Sequence, residues 1–293
     1  MTTKNSTNVR LAGLRAASVL APTLVAVWLD RIFMTPRRWP TPAHETDWLA
    51  EGQPFRVQSA RHQIAAWSWG SGPAVLLAHG WEGRGSQLGA FVQPLLAAGL
   101  RVVAFDAPGH GGSTGRRSSF PEMAATLAAV ARQSGEVRAV VAHSAGAAAT
   151  TIALRDGLKI ERLVYLSPPS DPGRFLYALT ESLGLRPSVA QRTQRRIERR
   201  IGARWDDLRP TRIAPAMTTP LLIIHDTEDR EVSWSQAQEL AKAWPDARMI
   251  TTHGLGHRRI LRDEQVVAAA TRFLTDPAPP TDAPPPKLVG RVP

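Results

Sequence analysis

Ser144 stands in the pentapeptide Ala142-His143-Ser144-Ala145-Gly146, between an apolar run at 137–142 and a run of small residues at 147–154. A strand, a sharp turn and a helix in that order would hold the serine hydroxyl out at the end of a sheet, the layout of a nucleophile elbow. The amide of the following residue, Ala145, and the helix N-terminus would then point toward developing negative charge. Ala142 occupies the place of the first glycine in the usual G-x-S-x-G pattern. The pattern remains small-x-Ser-x-small, which meets the same need for close strand–helix approach. Alanine-rich helix starts supply such strings by chance, so the partners of Ser144 must be sought elsewhere in the chain.

Other chemistry-bearing residues gather in turns that follow short apolar runs. These are His79-Gly80-Trp81-Glu82-Gly83-Arg84-Gly85, Asp106-Ala107-Pro108-Gly109-His110-Gly111-Gly112-Ser113, and the turns at 226–232 and 253–257. A nucleophile, an acid and a base thus occur in the order Ser144, Asp229, His257, each just beyond an apolar run. Asp226 and Asp171 compete for the acid position and His253 for the base. Gly254-Leu255-Gly256 supplies a flexible approach to His257, which favours it. His79, His110 and His143 read as hydrogen-bonding partners of their own turns, and Asp106 as a brace for its turn. No histidine–carboxylate cluster has metal-ligand spacing, and the chain has no cysteine, so neither a metal nor another cofactor is expected.

The elements that must position these residues follow from periodicity. Apolar runs at 74–78, 101–105, 137–142, 162–166, 221–225 and 247–251 read as buried parallel strands, and 55–58 with 64–69 as an antiparallel pair at the sheet edge. Helical stretches at 86–98, 120–133, 146–156, 234–244 and 264–274 alternate with them. Such alternation predicts an α/β fold, a mostly parallel central sheet with helices on both faces. Residues 170–216 break the rhythm and read as a helical lid insertion on the ligand-binding edge of the sheet. Its arginines, among them Arg195, Arg196 and Arg199, belong either to a solvated face or to a site for an acidic substrate.

Composition bounds the rest. Forty-three per cent hydrophobic and 21% charged residues describe a globular chain, with a net charge of +11. The charge comes from scattered arginines without interleaved aromatics, so no nucleic-acid partner is expected. Residues 1–50 form an N-terminal extension with an apolar helix at 16–29, too short to span a bilayer and interrupted by Pro22. It is read as packing on the domain, with peripheral membrane contact through 16–29 as the alternative. A cytoplasmic location is the corresponding expectation, membrane association the alternative. The α/β domain, including the lid insertion, is assigned to 51–275, and the proline-rich tail at 276–293 is expected to be disordered. Oligomeric state is not readable.

Together, His79-Gly80-Trp81, the D-x-P-G-H-G segment at 106–111, the serine turn, Asp229 to Val232 and the turn ending at His257 resemble the α/β-hydrolase superfamily, esterase/lipase-like branch, over about 70–274. The resemblance implies that His257 takes the proton of Ser144 and that Asp229 orients His257. It also implies that the amides of Trp81 and Ala145 form the oxyanion hole. A serine at the elbow argues against the dehalogenase and epoxide-hydrolase relatives, whose nucleophile is aspartate. The expected function is hydrolysis of a small-molecule carboxylic ester through an acyl-enzyme. A thioesterase or acyltransferase on the same triad, or a non-catalytic binding protein on this scaffold, are the alternatives.

Overall fold

Runs of β-branched and leucine side chains long enough for five or six extended residues, and buried on both faces, make the centre of the sheet. In the computed structural model, which describes residues 2–275, eight strands form one sheet. They are β1 (Gln53–Ser59), β2 (His62–Trp69), β3 (Ala74–Ala78), β4 (Arg101–Phe105), β5 (Val137–His143), β6 (Arg162–Leu166), β7 (Leu221–Asp226) and β8 (Ala247–Thr252). Their order is β1-β2-β4-β3-β5-β6-β7-β8. The pairs β1–β2 and β2–β4 are antiparallel and the rest parallel, as the alternating pattern predicts. Every residue of β3 and of β7 is buried.

The helices in chain order are α1 (Thr2–Leu20), α2 (Pro22–Phe33), α3 (Ala43–Glu51), α4 (Val92–Ala97), α5 (Phe120–Ser134), α6 (Ala145–Arg155), α7 (Arg174–Ser182), α8 (Pro187–Ile201), α9 (Pro210–Ile213), α10 (Trp234–Ala243), α11 (Gly256–Arg259) and α12 (Glu264–Thr275). Met123 and Leu127 of α5, Ile152 of α6 and Leu240 of α10 fill the core on one face of the sheet. Val92 and Leu95 of α4 with Val266 and Ala270 of α12 fill the other. Each core buries apolar area on its own face, so the sheet is held from both sides.

Three local features depart from the sequence reading. The N-terminal apolar stretch is two helices, because Pro22 has no N–H to continue α1 and instead starts α2. The segment at Gly85–Phe91 is a 3-10 helix preceding α4. Helix α3, which carries no clear apolar period, was not anticipated. Among the described residues, no helix is long and apolar enough to cross a membrane. The proline-rich tail at 276–293 lies outside the described residues.

Helices α7, α8 and α9 lie between β6 and β7, and α8 packs along α2. Val25, Ala26 and Leu29 of α2 meet Leu176 and Val189 in a separate small core. Asp30 of α2, 1% exposed, accepts hydrogen bonds from Arg196, at 2.9 Å, and from Arg200. The chain before the sheet is therefore fastened to the insertion.

Helix α6 leaves β5 so close to β3 that a Cβ on Gly146 would lie 2.4 Å from the Ala78 carbonyl oxygen and 2.6 Å from that of His79. Both contacts are with backbone, which cannot swing aside. Gly146→Ala is therefore expected to lower the free energy of unfolding by about 1–3 kcal/mol or more, read from urea denaturation. Ala142→Gly, in β5 one turn earlier, removes only a buried methyl and should cost about 0.5–1 kcal/mol in chain entropy plus lost packing. Equal midpoints for Gly146→Ala and wild type would refute the close-approach argument.

Candidate active site

Ser144 follows the last residue of β5 and caps α6 with φ 49° and ψ −118°. Positive φ is unfavourable for serine and costs about 1–3 kcal/mol, so neighbouring structure must hold it. It does so through Ser144 N donating to the Leu166 carbonyl and Ala147 N donating to the Ser144 carbonyl, both at 2.9 Å. The loop after β3 crosses directly over the turn. A Cβ on Gly80 would fall 2.9 Å from His143 Nδ1 and 3.1 Å from Ser144 Cβ, so only glycine allows this approach. The amide of Trp81 follows immediately. Neither it nor the Ala145 amide, at the first position of α6, meets an internal acceptor among the described residues.

That loop is pinned by buried polar groups. His79 Nδ1–H donates to the Gly80 carbonyl at 2.7 Å, while His79 Nε2 accepts from the Ala107 amide at 2.9 Å. The two bonds together fix one neutral tautomer. Burial lowers the His79 pKa to about 4 and that of His110 to about 3. The Asp106 carboxylate accepts from the amides of Gly85, at 2.8 Å, and Gly112, at 2.7 Å, tying the two glycine-rich turns together. Glu82, at φ 56°, is held by the guanidinium of Arg37 at 3.0 Å. Arg84 forms a two-pronged pair with Glu45 of α3, at 2.6 and 2.8 Å, and Ser86 Oγ donates to the same carboxylate at 2.6 Å.

On the other side of Ser144, His257 Nδ1–H donates to Asp229 Oδ2 at 2.7 Å. Asp229 Oδ1 accepts from the amides of Glu231 and Val232, each at 2.9 Å. His225, on β7, also reaches Asp229 Oδ2, at 3.3 Å, while donating to the Val232 carbonyl at 2.9 Å. Burial pushes the Asp229 carboxyl up, and the hydrogen bonds from His225 and His257 outweigh it, holding the group well below the ordinary carboxylate range. His225 was missed from the sequence because it lies inside an apolar strand, where nothing distinguishes it from a core residue.

The competing residues are engaged elsewhere. Asp226 accepts from the amides of Glu228 and Leu255, each at 2.9 Å, and from the Thr252 hydroxyl at 2.8 Å, which braces the loop that carries His257. Asp171 accepts from the Gly173 amide at 2.9 Å and faces Arg209 at 3.3 Å. His253 is exposed and bonds Thr227 at 2.8 Å. His143 Nε2–H donates to the His257 carbonyl at 3.1 Å, and the two rings lie 4.5 Å apart. His143 therefore steadies the loop bearing His257.

Ser144, His257, Trp81 and Ala145 line one cavity of about 980 Å³. Phe175 and Leu179 of α7, Ile197 and Ile201 of α8 and Trp205 form one wall. The other wall, unforeseen from the sequence, comes from Phe33, Trp39 and Trp48 of the N-terminal extension. Trp48 lies against Gly89, where a Cβ would be 1.8 Å from the indole. Helix α8 gives the cavity its isoleucines, whereas Arg195, Arg196 and Arg199 line a separate depression against α2. The acidic-substrate reading of those arginines therefore has no support at the cavity.

Residues 75–270 match the alpha/beta hydrolase family. Among curated proteins none matches the chain. Solved structures similar to it include an esterase from Exiguobacterium antarcticum, 16% identical over 76% of this chain and 100% of that one, with a TM-score of 0.62. An esterase from Pyrococcus furiosus is 18% identical over 82% of this chain and 97% of its own, with a TM-score of 0.64. A bromoperoxidase from Bacillus anthracis is 18% identical over 76% and 100%, with a TM-score of 0.59. At these identities the likeness is one of fold.

The buried histidines make stability depend on pH. His79 and His110 bind protons far less readily folded than unfolded, where their pKa is about 6.5, so the folded state is favoured fully above that value. Stability is expected to fall as pH drops from about 6.5 toward 4, by roughly 3 kcal/mol for His79 alone at 1.36 kcal/mol per unit. Thermal denaturation across this range checks it. Whatever its stability at pH 8, His110→Phe should lose less between pH 6.5 and 4 than wild type; an equal loss would contradict the assignment.

Proposed function

Because the chain belongs to the alpha/beta hydrolase family, we propose that it is a serine hydrolase that cleaves a carboxylic ester through an acyl-enzyme on Ser144. The observation that carries this reading is the 2.7 Å bond from His257 Nδ1 to a buried carboxylate, with His257 and Ser144 opening on the same cavity. Since Nδ1 carries the proton shared with Asp229, Nε2 of the neutral ring is left as the base.

A serine hydroxyl is a weak nucleophile unless its proton is removed as it attacks. His257 takes that proton while Ser144 Oγ adds to the ester carbonyl. Asp229, kept ionised by donors from Glu231, Val232 and His257, with His225 Nε2 a further 3.3 Å contact, stabilises the imidazolium that forms. The carbonyl oxygen becomes an oxyanion and accepts from the Trp81 and Ala145 amides, donors already oriented before substrate binds. His257 then protonates the departing alkoxide, leaving Ser144 acylated. A water, deprotonated by the same imidazole, attacks the acyl carbon, and the second tetrahedral intermediate collapses to release the acid and restore Ser144.

The cavity supports a substrate class. Its walls are aromatic and aliphatic side chains from α7, α8 and the N-terminal extension, which favours a bulky apolar acyl or alcohol group over a short polar one. The helical insertion at 170–216 acts as the lid over that group. The thioesterase and acyltransferase readings gain nothing from α8, whose arginines point to the other side.

A fluorophosphonate probe should label wild-type protein at Ser144 and leave folded Ser144→Ala unlabelled; folded wild type that takes no label would end the serine-hydrolase reading. Asp229→Asn should lower turnover of a p-nitrophenyl ester on the order of 10⁴-fold. Asp226→Asn, which disturbs the loop and not the imidazole, should cost far less. The reverse ranking would move the acid to Asp226.

A further inference from the structure

Among the described residues, eight large apolar side chains are exposed, and six of them, Val19, Leu20, Leu24, Val27, Trp28 and Ile32, lie at the end of α1 and along α2. Leu24, Trp28 and Ile32 repeat every four residues and so share one stripe of α2. The opposite side of α2, with Val25, Ala26 and Leu29, is already packed on the insertion. The exposed stripe is therefore surplus to the fold, and Leu24 is left 70% exposed.

Beside the stripe, Val27 shares a depression of about 720 Å³ with arginines of α8 and its C-terminal turn. Arg196 is paired with Asp30, but Arg192, Arg195, Arg199 and Arg204 meet no carboxylate within 4 Å among the described residues. The acid in this depression, Glu198, already accepts from Gln194 and from the Trp205 amide. An apolar helical stripe with a tryptophan, flanked by guanidinium groups on long stems, has the composition of a surface seated between headgroups and acyl chains. A second copy of the chain would bring these unpaired arginines toward one another. A nucleic acid would leave the apolar stripe unused.

We propose that the exposed stripe of α2 and the arginines of α8 dock the protein on an anionic lipid bilayer. Ile32 belongs both to this stripe and to the lining of the catalytic cavity, and exposed Trp39 lines the same cavity. Docking would set the cavity mouth at the lipid surface, so that an apolar ester enters from the bilayer. This last clause rests on the ester-hydrolase reading; the docking itself does not.

Co-sedimentation with vesicles of phosphatidylcholine, alone or mixed with phosphatidylglycerol, tests the proposal. Wild type is expected to pellet with the mixed vesicles at low salt, to be released as salt is raised, and to stay in solution with phosphatidylcholine alone. The triple variant Arg192→Gln/Arg195→Gln/Arg199→Gln should partition roughly 10²-fold less into the mixed vesicles. Leu24→Ser/Trp28→Ser should also lose binding while keeping the wild-type thermal midpoint and the turnover of a water-soluble p-nitrophenyl ester. Ser144→Ala should bind as wild type does, so a chain that binds but never turns over ester would refute hydrolysis and leave docking intact. Failure to pellet at any salt, binding indifferent to the arginines, or a dimer that dissociates in Leu24→Ser/Trp28→Ser would overturn the proposal.

Discussion

The geometry around Ser144 depends on one steric constraint: α6 must leave the sheet within van der Waals reach of the β3 carbonyls. A chain that turns from β5 into α6 over so short a distance cannot keep every residue in a relaxed conformation, and the strain falls on Ser144, with φ 49°. The same closeness brings the loop after β3 over Ser144 at Gly80. Strand, helix and loop thus converge on one atom group because small residues at 80 and 146 let three backbones share the space. Ala142, the departure from the glycine pattern, pairs in register with Ala78 and Tyr165 inside the sheet and needs no unusual backbone angle.

Two carboxylates three residues apart at the end of β7 have separate tasks. Asp226 takes amide and hydroxyl donors from the neighbouring loop and becomes part of the scaffold that carries His257. Asp229 takes amides on one oxygen and imidazoles on the other. Both are depressed below the ordinary carboxylate range, so degree of ionisation does not separate them. The identity of the donors does. A carboxylate satisfied by immobile backbone holds a shape, whereas one that faces an imidazole on an open cavity can respond to that ring becoming charged.

The sheet was legible because buried parallel strands write themselves as short apolar runs, and the runs ending at Ala78, Phe105 and Leu166 end where the strands do. The order of chemical groups was legible too, since each follows a strand end. What escaped reading had no local signature. His225 is a polar residue in an apolar run, and its relation to Asp229 is made by a turn that folds the chain back on itself. Helix α3 is short and mixed in character, and it is stabilised by contacts such as Trp48 on Gly89 rather than by its own period. The arginines of α8 could be counted, but their direction depends on which face of the helix α2 covers.

The buried pair of Glu45 with Arg84 and the clasp of Asp30 by Arg196 and Arg200 fasten one wall of the cavity across long stretches of chain. Their partners are separated by 39, 166 and 170 positions, so the segment that precedes the sheet is held by side chains of the loop after β3 and of the insertion. Breaking a buried ion pair leaves a charge without its partner, at a cost of about 3–5 kcal/mol. Trp39 lies between Asp30 and Glu45 in sequence and Trp48 just after Glu45, and both line the cavity. The shape of the cavity on Ser144 is thus set in part by ion pairs that anchor a segment outside the sheet.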